Sequence, residues 1–173
     1  STGAWQQVFK LRPDWPGKVI ADLNFELPAH AHSTRDAVRC TYEYADFVRS
    51  FVDAVQMPEG IYPEGMTTLY PIETWSDDFT MAISGIPSMV NEFSSAGFME
   101  THYHSQFDRD EFYDEAAYRF HHELYGLLLM ALDRVNVAPV NLERTFRALR
   151  ESVRPVTGRE DENALKTLME KLE

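Results

Sequence analysis

Short apolar stretches alternate along this chain with stretches whose apolar residues recur every three to four positions, and that alternation most restricts the folds open to it. Val19 to Leu27 (VIADLNFEL) is rich in apolar residues and closed by Pro28, which predicts a buried strand. Ala37 to Cys40 predicts a second, short strand. From Thr41 onward Tyr44, Phe47, Val48, Phe51, Val52 and Val55 share one helical face, so a helix is expected from about Tyr42 to Val55, with Thr41 as its N-cap. Ser88 to Phe93 reads as a core strand. Ahead of it Ser76 is placed to cap a short helix, Asp77 to Ser84, which Gly85 can end. Strands and helices taken in turn predict a layered α/β domain.

The remaining stretches fill in this outline. Trp5 to Leu11 is apolar-rich and stopped by Pro13, as the tail of a helix would be. Met57 to Thr74 carries three prolines and two glycines and is expected to be a long irregular connection. Ser94 to Asp110 reads as a polar loop. Tyr113 to Val135 is the strongest helix, with an apolar stripe of Ala117, Phe120, Leu124, Leu127, Leu128, Ala131 and Leu132. Asn141 is placed to cap another helix carrying Leu142, Phe146, Leu149 and Val153. Leu165, Leu168, Met169 and Leu172 mark a last amphipathic one. The division expected is an α/β unit over 1–135 and a helical region over 136–173.

Charge narrows the function classes. Against 28 acidic residues stand 16 Lys and Arg, a formal charge of −12. Binding to nucleic acid or to an anionic membrane surface needs clustered cations, so neither partner is expected. The most apolar run, Leu127 to Leu132, is too short to span a bilayer. One cysteine, Cys40, rules out an internal disulfide and a thiolate zinc site, and agrees with a reducing, cytoplasmic setting. Its predicted place in a core strand is poor for a nucleophile. Neither a Gly-rich phosphate loop nor a GxSxG elbow is present.

Four features could carry chemistry, each beside a plainer alternative. Glu26 lies at the end of the first strand, a favoured site position in α/β sheets, or is simply a carboxylate reaching water. His30 and His32 alternate on an extended segment and could share a metal, or could be solvated. His102, Tyr103, His104, Ser105 and Asp108 follow a core strand. A His there can bind zinc through one ring nitrogen, or the loop histidines are merely exposed. Asp77 and Asp78 could act in a site or only complement a helix dipole. His121 and His122, within the long helix, read as surface or partly buried.

Taken together these residues resemble the zinc exopeptidase family that includes bacterial aminopeptidases, glutamate carboxypeptidase and the transferrin receptor. The motifs are LNFE (Leu23 to Glu26), TLYPIETW (Thr68 to Trp75), SDDF (Ser76 to Phe79), GIPS (Gly85 to Ser88), YHSQFD (Tyr103 to Asp108) and NVAPVNLERTFRAL (Asn136 to Leu149). The last is similar to the start of the helical dimerisation region. The resemblance covers nearly the whole chain, and the order and spacing of the motifs are more specific than any one of them.

The resemblance implies a partial three-layer αβα sheet domain with C-terminal helices. It implies two zinc ions, with His104 and Glu26 at ligand positions, and Tyr103 as a contact to bound substrate or an oxyanion. At Glu26 the sequence departs from the family, where Asp is usual and one methylene shorter. The family site also uses an upstream His, a bridging Asp and a Glu-Glu pair that supplies the general base. These precede the region matched by STGAW (Ser1 to Trp5), so the chain is expected to start just past them. A peptide-cleaving parent, aminopeptidase or carboxypeptidase, is thus implied, with this chain inactive alone and unable to hold zinc tightly. The alternative is a non-catalytic binding or assembly domain like that of the transferrin receptor. Self-association, giving a homo-oligomer, is expected through an open sheet edge or the C-terminal helices.

Overall fold

The structure, a computed structural model, describes residues 2–30, 34–92, 96–152 and 170–171. It is an α/β fold built on a four-stranded mixed sheet, with strands β1 (Asp22–Asn24), β2 (Asp36–Cys40), β3 (Met66–Leu69) and β4 (Ser88–Asn91) in the order β1-β4-β2-β3. β1 runs parallel to β4 and β3 parallel to β2, while β2 and β4 are antiparallel. The two central strands are the most buried. Val38, Cys40 and Met89 have no exposed surface, as expected of strands covered on both faces. Burial also drives the Cys40 thiol up to about 12, with the Glu43 charge adding to it, so the thiol stays protonated.

Six α-helices are formed by the described residues: α1 (Thr2–Gln6), α2 (Ala45–Ala54), α3 (Asp77–Ile83), α4 (Ala96–Thr101), α5 (Glu115–Asp133) and α6 (Leu142–Ser152). A π-helical turn, Gln7–Leu11, prolongs α1, and a 3-10 turn, Tyr42–Tyr44, leads into α2. The predicted stripes of α2 and α5 form the main core. Tyr44, Val48 and Val52 pack with Phe120, Leu124 and Leu128 around Val38 and Met89. Burying each of these apolar side chains contributes roughly 1.5–3 kcal/mol. Tyr44 keeps its phenol satisfied by donating to the Ile20 carbonyl at 2.5 Å. No described helix is long and apolar enough to cross a membrane.

Three local expectations need correction. Met57 to Thr74 is not wholly irregular, because Met66–Leu69 pairs as β3 in register with Asp36–Arg39. Four residues of mixed polarity carry too little alternation to announce a strand, and pairing with β2 decides it. Part of the polar loop from Ser94 is helical, as α4. Thr41 and Ser76 stand at the N-caps of their helical segments in extended conformation, but neither side chain makes the capping bond. Asp114 and Asn141 do cap, accepting from the amides of Ala117 and Glu143 at 3.0 Å each. Most of the last amphipathic stretch, Leu165, Leu168, Met169 and Leu172 included, lies outside the described residues.

Across the boundary expected at 136, α6 is tied to the start of α2. Asn141 Nδ2 and Arg144 Nε donate to Asp46 at 2.6 and 2.7 Å, and the Asn141 amide donates to the Glu43 carbonyl. The Arg144 guanidinium, then the Asn141 amide, holds the Asp46 carboxyl below the usual range.

Candidate functional site

The chain leaves the sheet after β1 through Phe25, Glu26 and Leu27, and the side chain of Asn91 controls that exit. Asn91 is fully buried at the end of β4. Its Oδ1 accepts from the Glu26 amide at 2.9 Å, and its Nδ2 donates to the Glu26 carbonyl at 2.5 Å. The pairing of β1 with β4 has its last register partners at Asn24 and Val90, and this amide takes over where the ladder stops. Immediately beyond, Leu27 turns into the left-handed region with φ of 40°.

The half-buried Glu26 side chain is held as firmly as its backbone. Oε1 accepts from Asn24 Nδ2 at 2.9 Å and from Ser76 Oγ at 3.0 Å. Asn24 Nδ2 also reaches Ser76 Oγ at 2.9 Å and Asp78 Oδ1 at 3.1 Å, and Ser76 Oγ makes a short contact with Asp78 Oδ1. Two amide hydrogens and one hydroxyl hydrogen serve these five contacts, so contacts outnumber hydrogens and the hydrogens are shared. Asp78 Oδ2 is buried and makes no hydrogen bond among the described residues.

The opposite wall comes from the segment after α4. Tyr103 and His104 stack with ring centroids 3.8 Å apart, and His104 has φ of 56°. With Asn24, Glu26, Trp75, Ser76 and Asp77 they line a cleft of about 450 Å³. Loss of hydration, followed by the charges of Glu26 and Asp77, raises the Tyr103 phenol above its usual range, so it remains an O–H donor at neutral pH. His104 is exposed, and its ring makes no hydrogen bond among the described residues.

Glu26, Asp77, Tyr103 and His104 therefore share one cleft, whereas the remaining candidates do not line it. His102 turns away and packs on Phe112, with centroids 4.2 Å apart. His30 packs on Phe98 at 4.4 Å, and desolvation lowers its pKa so that the ring is neutral. Asp108 lines a second cavity with His30 and Phe112. His32 lies outside the described residues. Ser105 only shapes the turn, its hydroxyl donating to the His102 carbonyl and accepting from the Phe107 amide. Asp77 is exposed at the first turn of α3, but Asp78 is not a solvated dipole acid and is wholly buried in the Asn24–Ser76 network. His121 is not at the surface either, being wholly buried, while His122 is exposed.

Asn24, Ser76 and Asn91 support Glu26; the first two lie within the LNFE and SDDF motifs, but the sequence reading assigns none of the three to Glu26. An Asn two positions before the carboxylate was the one available signal, because side chains alternate along a strand and the pair share a face. Zinc takes carboxylate oxygen and imidazole nitrogen, the donors Glu26 and His104 carry, but a closed site needs four ligands. Among the described residues no group of three His, Cys, Asp or Glu could hold a metal ion. Comparison with protein-family models, with curated proteins and with solved structures found no match.

Proposed function

We propose that this chain supplies part of the active centre of a two-zinc exopeptidase, with Glu26 and His104 as zinc ligands and Tyr103 lying against the bound peptide. The observation that carries the reading is the cleft itself. A carboxylate from the end of β1 and an imidazole from the distant segment after α4 line one acceptor-rich hollow. Two ligands fit only in part. The upstream His, bridging Asp and Glu-Glu pair that the family resemblance requires must come from other sequence, and so must the rest of a three-layer sheet. When bound, zinc would activate water and polarise the scissile carbonyl. This chain's own residues hold Glu26 at the sheet exit, offer the Tyr103 O–H to an oxygen of the substrate, and shield one side of the cleft with Trp75.

Zinc alone, titrated while the ring resonances of His104 are followed by NMR, tests the reading. Weak binding that shifts His104 and is lost in both His104→Ala and Glu26→Gln is expected. No response at His104 would overturn it. The same chain is expected to leave aminoacyl and acidic dipeptide substrates uncleaved even with zinc, because the general base is not among its assigned residues. Hydrolysis abolished by His104→Ala would contradict that expectation.

A second reading, assembly without catalysis, is favoured by α6. Leu142, Phe146 and Leu149 recur at helical spacing and are each about half exposed, at 50%, 47% and 45%. A homo-oligomer seen by sedimentation velocity and broken by Phe146→Asp, with no zinc response at His104, would support this reading over the first.

A further inference from the structure

The fully buried imidazole of His121 has no part in the cleft, yet it grips the loop that leaves β1. Its Nδ1 lies 2.7 Å from the carbonyl oxygen of Pro28. Its Nε2 lies 3.3 Å from Asp36 Oδ2, at the start of β2, and 3.3 Å from the Tyr62 hydroxyl. Neither His121 nor Asp36 has exposed surface. One residue further along the loop, the Ala29 carbonyl accepts from the Asp114 amide, at the N-cap of the same helix, at 2.7 Å. Two consecutive carbonyls are thus fastened to α5, immediately after the left-handed Leu27 and within a few residues of Glu26.

We infer that His121 is a positioning residue for Glu26: its Nδ1–H holds the Pro28 carbonyl, and the fixed loop sets where the Glu26 carboxylate enters the cleft. A carbonyl only accepts, so the proton must sit on Nδ1, and the ring edge bearing Nε2 faces Asp36 and Tyr62. The importance of this geometry for metal binding rests on the zinc reading above. The placement of Glu26 does not.

Two substitutions separate positioning from packing. In His121→Asn the side-chain amide nitrogen can take the place of Nδ1 and keep the bond to Pro28. In His121→Gln the amide reaches the Nε2 position and leaves that carbonyl bare. Both remove the ring and should lose similar global stability in urea. The readout is hydrogen exchange at the Glu26 amide, which is bonded to Asn91, against the amides of Arg39 and Val90, which face each other where the central strands β2 and β4 pair. His121→Gln should speed exchange at Glu26 about tenfold beyond the change at Arg39 and Val90, and His121→Asn should restore it. Equal exchange at Glu26 in the two variants, or a uniform rise everywhere, would overturn the inference. If His121→Gln does not fold, the ¹⁵N shifts of the wild-type ring decide: a proton on Nδ1 supports the inference, and a bare Nδ1 with the proton on Nε2 overturns it. Zinc titrated alone into the wild type and both variants is read separately at His104. A silent wild type removes the metal reading while the exchange result stands.

Discussion

The two walls of the cleft are built on different principles. The Glu26 wall is bonded at backbone and side chain to Asn91, Asn24 and Ser76, and rests on the wholly buried Asp78. The His104 wall is a left-handed residue on an exposed turn whose ring only stacks on Tyr103. One side of the cleft is thus set by the core before anything binds, and the other is free to be drawn in by what binds. A pre-organised group contributes more to recognition because little ordering remains to be done. If both walls belong to one metal site, the entropic cost of binding falls mainly on the His104 side.

Stability measurements can break this contrast, and the largest effect is expected beneath the Glu26 wall. Asp36→Ala empties the wholly buried contact with His121 and should cost about 3 kcal/mol in urea unfolding. A loss below 1 kcal/mol would mean that the pair does not anchor the loop. Next comes Asp22, at the start of β1. Burial, then the charge of Asp78, raises its carboxyl pKa from 3.8 to about 6. The folded state therefore keeps a proton that the unfolded chain has released, and stability is lost as pH rises from about 4 to 6. Asp22→Asn has no such proton to lose. It should match the wild type near pH 4 and exceed it by about 2–3 kcal/mol above pH 7. Equal urea midpoints at both pH values would contradict the burial of that charge.

Asn24→Ala should follow at about 2 kcal/mol, because it strips donors from Glu26, Ser76 and Asp78 at once and leaves buried oxygens unpaired. The smallest effect belongs to the other wall. His104→Ala should change stability by less than about 0.5 kcal/mol while abolishing any zinc response. A His104→Ala penalty as large as that of Asn24→Ala would erase the distinction between the walls.

Much of the fold was readable because periodicity reports burial directly. The stripes of α2 and α5 and the apolar character of β2 and β4 follow from which residues face the core. β3 was not readable, because its four residues become a strand only through a partner thirty positions earlier. The ends of the cleft, Glu26 and His104, were singled out as residue types placed after predicted strands. Their supports could not be, since the amide of Asn91 meets Glu26 only after β1 and β4 have paired. His121 was misread for a related reason. A histidine on a helix looks like surface until Asp36 and the Pro28 carbonyl are seen waiting for it in the interior.

The grip of Asn91 on Glu26 also fixes how β1 can lie on its neighbour. A three-residue edge strand is short enough to slide by one position, which would turn its side chains over to the opposite face. Sliding would bring Val90 or Glu92 to the Glu26 backbone, and neither side chain offers both a donor and an acceptor. A single amide thus acts as a latch on strand alignment, and the same latch keeps the carboxylate turned toward the cleft.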